Sequence, residues 1–246
     1  MTQILDIGVP TSRTLTAGVG LAGGGTLAAN RTFTAAIPQV NGFRLTLTSG
    51  TPVTTDDVTG ATTIYLTPYK GAMIALYDGA AWALYSSAEV SLALGTLTSG
   101  LPYDVYVYDN AGTLTLEALA WTNGTTRATA LALTNGVNLK TGALTRRYVG
   151  TFYTTATTTT EDSAAKRFVF NTDNRVDRRL KKIESTDSWT YTTAVFRSVN
   201  NSTANRVEVM LGLAEDIIQI DVQSGAANDL LEGNQISGIG IDSTTV

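Results

Sequence analysis

Short runs in which apolar and polar residues alternate, each closed by a turn dipeptide, recur along this chain and leave little room for helices. Tyr103, Val105 and Val107 fall on one side of such a run and Asp104, Tyr106 and Tyr108 on the other, the period of a strand in a layered sheet. Threonine supplies 42 of the 246 residues, and a β-branched side chain sits well on a pleated surface. Asp78-Gly79, Asn123-Gly124, Asn135-Gly136 and Thr141-Gly142 punctuate the runs. Asn-Gly supplies the positive φ angles that tight hairpins need, so a meander of hairpins is expected from the spacing. The reading is an all-β chain of antiparallel β-sandwich or hairpin modules, in preference to a helix-containing barrel or an α/β fold.

Three segments follow from the texture. Residues 1–40 read as an extended, glycine-rich attachment or packing segment, residues 41–153 as a β-sandwich-like domain, and residues 154–246 as a second β-rich region with a basic stretch and terminal strands. Aromatic residues support a packed body in the middle, since none precedes Phe33 and none follows Phe196. Residues 154–160, TTATTTT, read as a loop or an exposed edge. Around residues 174–184, Val176, Leu180 and Ile183 have helical spacing behind a capping Asn174, while RFVFN before and SWTYTTAVFRSV after are strand-like. Extended backbone is favoured there, with a short helix left open. RVEVMLGL, DIIQIDVQ and QISGIGID alternate again and would add strands or an intersubunit sheet.

The composition excludes several chemistries. With no Cys and no His, disulfides, the usual zinc sites and imidazole-based nucleophile systems are removed. Carboxylates remain, but Asp56 with Asp57, Glu161 with Asp162, and Glu215 with Asp216 are sequence neighbours, which a strand would point to opposite faces. No pair meets the separation across a cleft that glycoside hydrolysis needs, so no catalytic residue, metal site or cofactor is expected. Trp82, Trp121 and Trp189 could stack sugars, although core or interface packing is the commoner use of such rings. A net charge of −4 argues against general nucleic-acid binding. MTQILDIGVP lacks the pattern of a secretory signal, and no run reaches the roughly 18 apolar residues of a membrane span.

Residues 17–33, AGVGLAGGGTLAANRTF, hold a glycine knot. Gly18, Gly20 and Gly23 match G-x-G-x-x-G, yet the dinucleotide fingerprint requires a helix after the knot and an acid about 20 residues on. Phe43 and Arg44 occupy that place, and Gly24 and Gly25 follow the knot directly. A segment of this kind cannot make a core alone and must borrow order from another surface. Gly18, Gly20, Gly23, Gly24, Gly25, Asn30, Arg31 and Phe33 are therefore the candidate attachment or trimer-packing residues.

A second candidate surface is basic. Lys166, Arg167, Arg175, Arg178, Arg179, Lys181 and Lys182 are seven of the 17 basic residues. They could face an acidic partner, such as a neighbouring protein, a phosphorylated cell-surface glycan or nucleic acid. Alternatively they form an exposed face or strand edge whose charges pair with Glu161, Asp162, Asp173, Asp177, Glu184 and Asp187.

AGVGLAGGGTLAANRTF resembles a motif that recurs in tail fibres of tailed bacteriophages. RLTLTSGTPVTTDDVTGATTIYLTPYKGAMIALYDGAAW, VYDNAGTLTLEALAWTNGTTRATALALTNGVNLKTGALTRRYVGTFYTT and ESTDSWTYTTAVFR are similar to segments of phage-encoded virion or tail proteins. Together these cover about residues 14–200. The resemblance implies a homotrimeric, noncatalytic virion component, a tail fibre, head fibre or capsid decoration protein, made in the bacterial cytoplasm and bound to other virion proteins of capsid or tail. A fibre module that recognises host-surface glycans is the alternative it leaves open. Neither nucleic acid nor membrane insertion belongs to this expectation.

Overall fold

Turn chemistry cuts the chain into strands. The computed structural model describes residues 10–187, 189–190, 195 and 197–214. In order, these hold β1 (Thr14–Thr16), β2 (Leu21–Thr26), β3 (Phe33–Ala35), β4 (Phe43–Thr46), β5 (Val58–Ala61), β6 (Thr63–Pro68), β7 (Met73–Tyr77), β8 (Trp82–Ser86) and β9 (Val90–Ala93). Then come β10 (Pro102–Asn110), β11 (Thr113–Ala120), β12 (Leu131–Thr134), β13 (Val137–Lys140), β14 (Ala143–Ala156), β15 (Thr159–Asp162), β16 (Lys166–Arg167), β17 (Val169–Asn171) and β18 (Glu208–Val209). One three-residue 3-10 turn, Val199–Asn201, is the only helical element among the described residues. No helix among them is long and apolar enough to cross a membrane. The chain is all-β, and the pairings are antiparallel except for β16 with β18.

Asn135 and Gly136 take φ of 51° and 80° and join β12 to β13 in a two-residue hairpin, as the dipeptide predicts. Asn123-Gly124 behaves differently. It sits in the loop after β11, where Asn123 Oδ1 accepts from the backbone N–H groups of Thr125 and Thr126, each at 2.9 Å. The side chain, rather than positive φ, makes that turn.

β10 is the centre of the larger sheet. It pairs with β11 from Tyr103↔Ala120 to Asn110↔Thr113 and with β14 from Pro102↔Tyr153 to Val107↔Arg147, with a bulge between Val105 and Tyr106. β14 also receives β13, β15 and β17. A second sheet, ordered β4-β6-β9, supplies the other wall of the core. Tyr103, Val105 and Val107 point inward as the alternation predicts, against Phe43, Leu45, Ile64 and Leu66 from that second wall. A smaller cluster of Ala75, Trp82, Val137 and Leu139 receives Ala36 and Val40 from the end of the N-terminal segment.

Two devices hold the layers together. Asn171 acts as a strand partner with its side chain: Oδ1 accepts from Leu45 N at 2.6 Å and Nδ2 donates to Leu45 O at 3.1 Å. Gly150 lets β17 approach β14, because a Cβ there would lie 2.1 Å from Phe170 O and 2.8 Å from Leu45 Cδ1. The division expected after residue 153 falls inside β14, and residues up to Asn171 share the sheets of residues 41–153. The threonine run is exposed only at its centre, residues 156–158; it forms the β14–β15 hairpin, with Thr154 and Thr160 fully buried and Thr154 Oγ1 donating to Thr98 O at 2.7 Å.

From Arg175 to Thr186 the backbone is neither helix nor strand, so helical spacing alone did not make a helix. Of the expected terminal strands, only Glu208–Val209 is found, while DIIQIDVQ and QISGIGID lie outside the described residues.

Gly150→Ala is expected to cost about 1–3 kcal/mol in urea unfolding, because backbone must move to admit the methyl group. Leu133→Ser, at a position 71% exposed, is expected to stay within about 0.5 kcal/mol of the parent.

Candidate functional site

The glycine knot is strand. β2 runs through Gly23, Gly24 and Gly25 between β1 and β3, in the registers Thr14↔Thr26 and Leu21↔Ala35. The segment therefore folds back on itself twice as a three-stranded meander rather than running out as a single extended arm. No helix follows the knot, so the match to the dinucleotide fingerprint has no structural counterpart. Gly23 and Gly24 have φ of 110° and 100°, and a Cβ on either would strike backbone, at 2.2 Å from Thr32 O and 2.7 Å from Leu15 O. Both neighbouring strands thus crowd β2. Arg31 closes the β2–β3 connection by donating from Nε to Thr26 O at 2.6 Å, with its guanidinium carbon 2.9 Å from where a Gly25 Cβ would be.

This sheet has no core of its own. No described residue from 10 to 41 is buried. Val19 is fully exposed, and Leu15, Leu21, Phe33 and Ile37 all keep at least 40% of their surface in solvent. Asn30 is likewise exposed, and Gly18 and Gly20 flank the turn into β2. An open concavity of about 430 Å³ lies beside Leu15, Leu27 and Arg31. A three-stranded sheet needs an apolar face packed on something to be stable in water.

The basic stretch is partly neutralised within the chain. Arg167 Nη1 and Arg178 Nη1 pair with the two oxygens of Asp162, at 3.2 and 3.1 Å, and Lys166 lies 3.6 Å from Glu161. Arg175 lies over the Phe170 ring at 4.9 Å and donates to Asn171 O. Arg179, Lys181 and Lys182 are the exposed end of the stretch. Asp173 pairs elsewhere, with Arg147 and Asn41. Glu184 is held down to about 2 by hydrogen bonds from Asn205 and Thr186.

Sequence alternation placed Asp104, Tyr106 and Tyr108 away from the core but did not show that this second face is covered. Asp104 and Tyr106 are both buried. Asp104 Oδ2 accepts from Arg127 Nε at 2.8 Å and Oδ1 from Thr151 Oγ1 at 2.7 Å. With the Thr151 proton so used, the 2.6 Å contact between Tyr148 and Thr151 has the phenol donating. Arg127 lies 4.6 Å over Trp121, and its Nη2 donates to Tyr148 Oη and to Gly212 O. Glu117 continues the polar row, paired with both Lys140 and Arg146. The local sequence signal was an acid followed by two tyrosines on one face of the strand, but the groups that cover it are Arg127, in the loop after β11, and Gly212, beyond β14, out of reach of local pattern.

Little in these clusters is set up for acid–base work. Burial pushes the Tyr148 phenol up to about 12, helped by the Asp104 charge, and raises Tyr106 for the same two reasons. Among the described residues no group of three or more Asp or Glu is placed to hold a metal. Asp57 accepts from Ala164 N, Glu161 from Ser163 Oγ, and Glu215 and Asp216 lie outside the described residues. Trp82 and Trp121 are buried, whereas Trp189 is 40% exposed. A cavity of about 70 Å³ beside Arg147 and Asp173 is too small for a sugar or nucleotide.

A phenol whose pKa is raised on folding stabilises the fold below its unfolded value and loses that contribution as pH rises. Stability is therefore expected to fall between pH 10.0 and about 12 as Tyr148 is forced to ionise. Tyr148→Phe should flatten that fall in urea-unfolding midpoints measured across the range.

Comparison with known protein families, with characterised proteins and with solved structures found no match.

Proposed function

We propose that this chain is a noncatalytic structural component of a tailed-phage virion, a homotrimeric fibre or decoration protein held on the particle by its N-terminal segment. The observation that carries the reading is the coreless meander. Residues 14–35 hold defined strand registers, with Gly23 and Gly24 closed against any side chain by neighbouring backbone, yet none of these residues is buried. Specified geometry without burial is the condition of a surface completed by other chains.

Threefold closure suits such a segment. Three short meanders packed about an axis would cover Leu21 and Phe33 and protect the free edges of β1 and β3. The resemblance of AGVGLAGGGTLAANRTF to phage tail-fibre motifs supplies the virion context. Neighbouring capsid or tail proteins are then the partners, and the exposed Arg179, Lys181 and Lys182 offer them a cationic contact.

Native mass spectrometry at micromolar concentration is expected to give three copies, and antibody labelling should find the protein on intact particles. Leu21→Glu and Phe33→Glu should each yield single chains while leaving the urea midpoint of the body unchanged. A parent chain that is monomeric and missing from particles would refute the reading.

A further inference from the structure

Gly212 is an isolated anchor. After Asn171, every described residue from 172 to 211 is exposed or half-buried, and Gly212 is the first to be buried again. It sits in a slot on the outer face of β14 that admits no side chain. A Cβ there would lie 2.3 Å from Tyr148 Oη, 2.5 Å from Phe170 Cδ1 and 2.8 Å from Thr151 Oγ1. Those atoms cannot yield easily, since Tyr148 and Thr151 are fully buried and already bonded to one another. Arg127 reaches over the slot to donate to Gly212 O, and its other bonds to Asp104 and Tyr148 hold it ready in that pose.

The residues leading to the anchor add a strand. β18 pairs in parallel with β16 through Lys166↔Glu208 and Arg167↔Val209. Glu208 N donates to Ala165 O at 2.8 Å and Met210 N to Arg167 O at 2.9 Å. Just before this excursion, Lys181 N donates to the adjacent carbonyl, Ala164 O, at 2.7 Å. Lys181 and Glu208 thus bond to adjacent carbonyls, with the excursion of residues 182–207 between them in sequence. The described part of the excursion between those contacts contributes no buried residue and no strand.

We infer that the β16 edge and the Gly212 slot form a strand-addition site that takes residues 206–213 of a second copy of this chain in the assembled protein. The groups that recognise the segment are backbone of β16, the Arg127 guanidinium and a slot selective for glycine. The bonds they make are to Glu208, Met210 and Gly212 of the segment itself, so the same segment from a neighbour meets the same partners. Reach is sufficient: at roughly 3.3 Å per extended residue, residues 182–207 could span on the order of 80 Å. In a symmetric assembly the neighbour's segment is also held at high effective concentration. The exchange between copies rests on the assembly proposed above, whereas the slot itself does not.

Two measurements on the full-length chain test this. In the first, Gly212→Val empties the slot while leaving its walls intact, and a fluorescent peptide of residues 205–214, NRVEVMLGLA, is added. Anisotropy should show binding to the variant at least 10-fold tighter than to the parent, whose slot is filled, and no binding of a peptide with valine at the glycine position. Equal binding to both proteins, or binding to neither, would overturn the slot. The second measurement does not depend on how the variant folds. Since the chain has no cysteine, Lys166→Cys and Glu208→Cys are made in separate chains, which are co-refolded and oxidised. A disulfide-linked pair of chains is expected. If the two substitutions in one chain link only within that chain and the mixture gives no linked pair, exchange is refuted. Peptide capture by a chain that proves monomeric would leave the slot standing and refute the trimer.

Discussion

Arg147 holds the body to what precedes it. Its guanidinium is 2% exposed, and from Nη1 it donates to three carbonyls, those of Pro38, Val40 and Ala75, each at 2.9 Å. Nη2 lies 3.3 Å from Asp173. Burial lowers the pKa of the group from its ordinary value, and the Asp173 charge works against that fall. A cation so enclosed is tolerated only where acceptors surround it, since stripping water from a charge costs several kcal/mol on its own. One side chain on β14 thereby fixes the end of the N-terminal segment, the β7 strand and the loop after β17. The meander before Pro38 meets the body where β3 lies against β8 and Ala36 against the Trp82 cluster, but none of its described residues is buried there.

Burial divides the molecule more sharply than secondary structure does. From Gly42 to Asn171, the larger sheet, the β4-β6-β9 sheet and the β7-β8 pair enclose the apolar core, and even polar groups on the outer face of β10 and β14 are covered. Before Gly42 nothing described is buried, and after Asn171 only Gly212 is. Both ends keep defined hydrogen bonds nonetheless, through the β1–β3 registers and the β16–β18 pairing. Ordered backbone with little buried area is a poor foundation for an independent domain and a good one for a contact between copies.

Local chemistry was legible in the sequence wherever one strand and its turn decided the outcome. The inward set of Tyr103, Val105 and Val107 and the Asn135-Gly136 hairpin follow from period and dipeptide alone. Asn123-Gly124 misleads because its side-chain oxygen finds backbone donors nearby, which local pattern does not weigh against positive φ. TTATTTT misleads for another reason: low complexity suggests a loop, yet threonine hydroxyls can satisfy themselves inside a sheet, as Thr154 and Thr160 do. The glycine knot was legible as a segment without a core of its own, but its folding into a meander depends on Thr32 and Leu15 carbonyls that only the registers bring near. Least legible was the covered face around Asp104. Arg127, Thr151 and Gly212 come from three distant stretches, and no spacing rule links them.

The proposed assembly requires the meander to gain its order from neighbouring copies. Amide hydrogen exchange of the assembled protein and of a single-chain Phe33→Glu variant measures this directly. Residues 43–171 should be slow in both, while the β1–β3 amides should be slow only in the assembly and exchange freely in the single chain. Equal protection of the β1–β3 amides in both forms would contradict the account.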